Sequence, residues 1–248
     1  RGRQPPESGQ TRRPTDMSHL PPDATGLFVF GATHRTTPIE VREKLSLPAP
    51  TAEQLHADLA AIAGLREYAV LNTCNRIEFY GVADTPDAAA RVQAAFCHRQ
   101  QFAEEEFAKY RTSLNGPAAV QHLFEVAAGI DSQLVGETEI LGQVKGAYAA
   151  AQARRSTGPV LNRVFQKTFQ AAKHVRSSTA ITEGQVSIAN VAVELAYNIF
   201  GRLEATRVLL LGAGDIGEKT AKAFRSRGAS SLTVSSRRLE RAMTSASE

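Results

Sequence analysis

Hydrophobic and polar positions follow two different periods along this chain, and the changes of period mark its elements. Leu27-Phe28-Val29-Phe30 is an apolar run closed by Gly31, which predicts a strand leading into the polar loop Ala32-Thr33-His34-Arg35-Thr36-Thr37-Pro38. Leu55, Leu59, Ile62 and Leu65 recur at helical spacing behind Thr51, predicting a helix capped by that threonine with Gly64 near its end. Strands are expected over residues 69–71 and 77–82, so Cys74 falls in the turn between them. Residues 86–107 are helical in pattern, Asn115-Gly116-Pro117 breaks the pattern, and another helical run begins at Ala118.

Residues 140–182 predict two long helices interrupted at Ser156-Thr157-Gly158-Pro159, and a further helix is expected over 186–200. Arg207-Val208-Leu209-Leu210-Leu211 has the length and character of a buried parallel strand. Gly212-Ala213-Gly214-Asp215-Ile216-Gly217 then opens a helix through Phe224, and a second strand follows over 231–235. That is the beginning of one βαβ unit, and a dinucleotide-binding sheet needs several more strands, so the sequence is expected to end inside such a domain.

Composition adds limits rather than direction. A hydrophobic content of 42% with 22% charged residues suits a folded protein. The net charge of +4 is compatible with RNA or a phosphorylated cofactor without requiring either. Residues 1–16, rich in Arg and Pro and poor in apolar side chains, are expected to be a disordered tail. No apolar run approaches the roughly 20 residues of a membrane helix. Two cysteines are too few for a disulfide scaffold and point to a reducing compartment. His34, His56, His98 and His174 lack ligand-like spacing, so no metal site is expected.

The candidate chemistry lies in two places. The glycine-rich turn follows a strand and opens a helix, as a dinucleotide fingerprint requires: glycines allow the tight turn and close approach of a pyrophosphate, and the helix N-terminus supplies free N–H groups. Gly212, Ala213, Gly214, Asp215, Ile216 and Gly217 are therefore the candidate cofactor residues. Where an NAD enzyme offers a carboxylate after the second strand, this chain has Ser235-Ser236-Arg237-Arg238; Arg237 can pair with a 2′-phosphate, which favours NADPH. Cys74 sits in a polar turn near Arg76, a setting that suits a nucleophilic thiol, whereas Cys97 on an apolar helix suits a structural role. His122 stands open between an ordinary helix histidine and a catalytic base. A thiol together with a nicotinamide site suggests acyl transfer to sulfur followed by hydride transfer.

Gly31 to Pro38 with Arg42-Glu43, Thr73-Cys74-Asn75-Arg76-Ile77-Glu78, Gly129-Ile130-Asp131-Ser132, Gly136-Glu137, Ile140-Leu141-Gly142-Gln143-Val144-Lys145, Phe165-Gln166-Lys167 and Lys173-His174-Val175-Arg176 resemble the glutamyl-tRNA reductases. The resemblance implies that Cys74 attacks the ester of glutamyl-tRNA and that NADPH reduces the resulting thioester to glutamate-1-semialdehyde for tetrapyrrole synthesis. It implies His122 as an activity-supporting residue, and Thr73, Asn75, Arg76, Ser132, Glu137 and Gln143 as substrate-pocket residues, with Arg76 suited to grip a carboxylate. Thr138 and Glu139 belong to the same pocket segment, but Glu139 stands where the family usually has Gln. The implied organisation is a tail over 1–24, an α+β catalytic domain of ferredoxin-like βαβ units plus helices over 25–182, and an incomplete α/β Rossmann NADP-binding domain over 183–248. Family membership further implies a cytoplasmic homodimer whose dimerisation domain is missing here, and a partnership with glutamate-1-semialdehyde aminomutase.

Overall fold

The computed structural model describes residues 26–183, 187–238, 240, 242 and 243, so the expected tail lies outside the described residues. The first strand, β1 (Leu27–Thr33), is followed by α1 (Ile39–Leu45) and α2 (Ala49–Ala60), then by β2 (Leu65–Asn72) and β3 (Arg76–Ala83). Next come α3 (Pro86–Gln100), α4 (Glu104–Tyr110) and β4 (Arg111–Asn115). The four strands form one antiparallel sheet in the order β2-β3-β1-β4, the split βαβ arrangement of a ferredoxin-like fold. Gly31 faces Glu78 across the central pair, where a Cβ would lie 2.2 Å from the Ile77 carbonyl oxygen, so only glycine lets β1 and β3 approach here.

Strand alternation sends side chains to both faces, and both faces are covered. Phe28, Phe30, Ile77 and Phe79 pack with Leu55, Leu59, Phe96 and Phe107 of α2–α4 on one side. Leu27, Val29, Leu71, Tyr80 and Val82 pack on the other against α5 (Pro117–Ala128), α6 (Glu139–Ala153) and α7 (Pro159–Ser178). This is why β1 has no exposed residue and reads as a continuous apolar run. Buried Glu67 on β2 fixes the start of α7: its carboxylate accepts from the backbone N–H groups of Gly158 (2.8 Å), Val160 (3.1 Å) and Leu161 (2.7 Å). An anion thus satisfies donors that a helix N-terminus leaves free.

Several boundaries differ from the sequence expectation. α2 starts at Ala49, behind Pro48, so Thr51 lies inside the helix and does not cap it. Gly64, with φ +83°, ends the connection and turns Leu65 into β2. The single helix expected over 86–107 is two, because Gln101 adopts a left-handed conformation with φ 51°. β4 has no counterpart in the sequence expectation, because its alternation of exposed and half-buried residues carries only one large apolar side chain, Leu114. α1 was likewise absent from the expectation.

Beyond α7 a short 3-10 turn, Ala180–Thr182, precedes α8 (Ile188–Phe200), β5 (Arg207–Leu211), α9 (Asp215–Ser226) and β6 (Ser231–Ser235). β5 and β6 pair in parallel, as a βαβ unit requires. Val193, Leu203, Phe224 and Ala229 form its small core. β5 is not buried on both faces: Leu209 and Leu211 are exposed, because the packed helices lie against one side only. Among the described residues no helix is long and apolar enough to cross a membrane.

Candidate active site

Cys74 stands on the tip of the β2–β3 hairpin and is exposed. The turn is closed by Thr73, whose backbone N–H donates to the Arg76 carbonyl (2.9 Å) and whose hydroxyl oxygen accepts from the N–H groups of Asn75 (3.2 Å) and Arg76 (3.1 Å). His34 steadies it from outside by donating its backbone N–H to the Asn75 carbonyl (2.8 Å). The thiol is therefore mounted on a hydrogen-bonded turn between two paired strands. Cys97, by contrast, is buried in α3, where burial and then the nearby Glu104 carboxylate push its thiol up to about 11.

A pocket of about 130 Å³ opens at this tip. Thr73, Cys74, Asn75 and Arg76 form one wall, Ser132 and Glu137 another, and Glu139 and Gln143 at the start of α6 a third. Eight of the residues expected at the substrate or thiol are thus brought together, while Thr138 and His122 are not among the lining residues. Ser132 Oγ is buried without a hydrogen-bond partner among the described residues, an unmet polar group in the pocket's own wall. The volume is far below the ~300–1,000 Å³ of drug-sized sites and suits a small acyl group.

Beneath the pocket lies a charge network that ties Arg76 and His122 to Glu78, Tyr80, Asp131 and Arg35, four residues with no role in the sequence expectation. Arg76, Glu78 and Tyr80 alternate along β3 and therefore share one face of the sheet. Arg76 Nη1 donates to Glu78 Oε1 (2.8 Å), and Arg76 also binds the carboxylate of Asp131 (3.2 Å) and its carbonyl oxygen. Arg35 reaches Asp131 from the loop after β1. Glu78, 1% exposed, also accepts from the Tyr80 hydroxyl (2.6 Å) and meets His122 Nε2 at 2.8 Å. Burial alone would raise the Glu78 carboxyl, but His122 and Arg76 outweigh it and hold it below its usual range. Burial alone would lower His122, yet the hydrogen bond and charge of Glu78 raise it above the usual imidazole value. His34, pressed by burial and then by the Arg76 cation, is held below it.

Two expectations change in consequence. The Arg76 cation expected to activate the thiol is already balanced by two carboxylates, and both of its terminal nitrogens donate to protein groups. His122 is placed under the pocket floor, in contact with Glu78, instead of beside the thiol. The period-two spacing of Arg76, Glu78 and Tyr80 was the available signal for this network.

The glycine-rich turn adjoins the same pocket. Ile216, in the first turn of α9, lines both the thiol pocket and a groove formed with Leu211, Gly212, Gly214 and Gly217. Nothing within 4 Å would meet a Cβ at Gly212 or Gly214, leaving open backbone at the helix N-terminus, whereas a Cβ on Gly217 would lie 2.5 Å from the Gly212 carbonyl oxygen. Those are the approach and packing roles that a pyrophosphate-binding turn assigns to its glycines. Arg237, just past β6, is exposed. Lys219 of α9 forms an ion pair with Glu139 of the pocket wall.

The fold and site define a two-part architecture, an α+β module with an exposed thiol at a hairpin tip followed by a Rossmann-type unit with a glycine-rich turn. Residues 30–179 match the family described as "Glutamyl-tRNAGlu reductase, N-terminal domain", and residues 194–248 match "Shikimate / quinate 5-dehydrogenase". The chain is 44% identical over 218 residues to a glutamyl-tRNA reductase of Desulfotalea psychrophila, covering 88% of this chain and 51% of that protein. It is 41% identical over 223 residues to "Glutamyl-tRNA reductase 2" of Anaeromyxobacter dehalogenans, covering 90% and 48%. The solved glutamyl-tRNA reductase of Methanopyrus kandleri superposes with a TM-score of 0.59 at 35% identity, over 90% of this chain and 52% of that one. This chain belongs to the glutamyl-tRNA reductase family, and it spans about half the length of the curated relatives it matches.

Proposed function

We propose that the chain takes the glutamyl group of glutamyl-tRNA onto Cys74 as a thioester and, with NADPH, releases it as glutamate-1-semialdehyde. The observation that carries this reading is a pocket lined both by Cys74 on its hairpin tip and by Ile216 of the glycine-rich turn. The Cys74 thiolate adds to the ester carbonyl, and the tRNA hydroxyl leaves with a proton. NADPH, when bound along Gly212, Gly214 and the N-terminus of α9 with Arg237 toward its 2′-phosphate, supplies the hydride that converts thioester to aldehyde and frees the thiolate.

Ser132 Oγ, Asn75 and Gln143 orient the glutamyl group, and Glu137 faces its ammonium. For Arg76 to take the substrate carboxylate, Asp131 has to release it. His122 acts as a positioning residue: it fixes Glu78, which fixes Arg76. The aminomutase that consumes the aldehyde and the homodimer of the family are proposals of the same standing.

Intact-mass measurement after brief incubation with glutamyl-tRNA, without NADPH, tests the acyl step. A glutamyl adduct is expected on the unmodified chain and on Cys97→Ala, and none on Cys74→Ser. An adduct that survives Cys74→Ser overturns the assignment.

A further inference from the structure

One long stretch of this molecule carries basic residues and no acidic ones. Residues 140–182, spanning most of α6 and all of α7, hold seven Lys and Arg and no Asp or Glu, although the whole chain carries only +4, so the remainder is net negative. Arg154 pairs with Glu53, Arg176 turns inward to the Glu137 carbonyl oxygen, and Lys167 donates to Gln170 Oε1 (3.2 Å) on its own helix, a contact that leaves its charge uncancelled. Along α7 the exposed positions include Arg163, Lys167, Lys173 and His174, on the side opposite the buried Leu161, Val164, Phe165, Thr168 and Ala172.

The helix has a direction relative to the site. Its last turn abuts the pocket wall through Arg176 and Glu137, and its first turn is anchored by Glu67 near the end of β2 opposite the thiol turn. From Arg163 to Lys173 the axis rises about 15 Å, at about 1.5 Å per residue. At the pocket end Glu139 is paired with Lys219, and Glu137 accepts from the backbone N–H of Glu139 inside the pocket wall, away from the exposed side of α7. A cationic row leading away from a pocket that receives an acyl group suits a polyanion whose acylated end enters the pocket while its phosphates run outward.

We propose that the exposed face of α7, through Lys167 and Lys173, is the docking surface for the phosphate backbone of the RNA that delivers the acyl group. This rests on the acyl-transfer reading above and assigns to that substrate a surface it lacked. Phosphate contacts of this kind position the RNA without reading its sequence.

The test measures binding of glutamyl-tRNA to the full chain by fluorescence anisotropy across a salt series, alongside Cys74 acylation by a small activated glutamyl ester that has no RNA. The double variant Lys167→Gln/Lys173→Gln is expected to bind about 10-fold more weakly, with the slope of log affinity against log salt reduced by about 2, and to acylate normally from the ester. A control pair of equal charge loss on the other side of the sheet, Lys44→Gln/Lys109→Gln, is expected to leave the slope unchanged. An unchanged slope in the α7 variant, or an equal fall in the control, overturns the surface. If the unmodified chain fails to acylate from the ester, the Cys74 reading fails, and the salt slopes still decide the surface. Circular dichroism on each variant, with Lys167→Ala/Lys173→Ala as a second neutral pair, separates lost binding from lost folding.

Discussion

Replacing Glu78 with alanine removes the centre of the network under the pocket. Its carboxylate, 1% exposed, pairs with Arg76, meets His122 and accepts from Tyr80. Breaking one side of a buried ion pair costs about 3–5 kcal/mol, because the remaining charge stays buried. Asp131 still balances part of Arg76, which pulls the value toward the lower end, while an unpartnered Tyr80 hydroxyl adds about 1 kcal/mol. At about 2–4 °C per kcal/mol for a chain of this size, the melting midpoint should fall by roughly 6–20 °C in calorimetry. Glu78→Gln, which keeps the shape and some hydrogen bonds, should fall less. The pair also sets a pH window. His122 is raised in the fold, so its contribution is complete below about 6.5 and fades as pH rises through its folded value. Glu78 is depressed, so its contribution is present above about 4.5 and fades as pH falls through its own folded value. The stability gap between the unmodified chain and His122→Gln should therefore be widest between these limits and narrow toward alkaline pH. A loss below about 1 kcal/mol for Glu78→Ala, or a gap that stays flat as pH rises, would refute the charged network.

Glu67→Ala should destabilise the fold by about 2–4 kcal/mol in urea unfolding, since three backbone donors at the start of α7 lose their acceptor; a shift within about 0.5 kcal/mol would show that water replaces it freely. Glu139→Gln should change stability by no more than about 1 kcal/mol, as expected of a partly exposed ion pair, and leave Cys74 acylation intact. Lys219→Glu sets two carboxylates face to face and should raise the KM for NADPH without slowing acylation; equal effects on both steps would argue against a role confined to the nucleotide side.

Much of the fold was legible because period and punctuation agreed. β1, the β2–β3 hairpin, the α6–α7 pair and the strand-glycine-helix turn each combine an apolar pattern with a clear break, such as Gly158-Pro159. β4 and α1 were missed because Arg111–Asn115 and Ile39–Leu45 bury little on their own and take their form from the sheet edge and the helices beside them. In the site, the residues lining the pocket could be named from motifs, but their partners could not. The role of Asp131 depends on Arg76 55 positions away, and that of His122 on Glu78 44 positions away. The partner of Glu139 is Lys219, 80 positions distant.

Covering the sheet on both faces has a consequence for the chain as it is made. By the time Asn115 has been added, all four strands and the helices of one face exist, yet the apolar face of Leu27, Val29, Leu71, Tyr80 and Val82 waits for α7, which ends at Ser178. At about 5–20 residues per second that interval is roughly 3–13 s of synthesis. During it the nascent protein presents a half-finished sheet with one apolar face uncovered, and slower translation across residues 116–178 should increase its loss to aggregation.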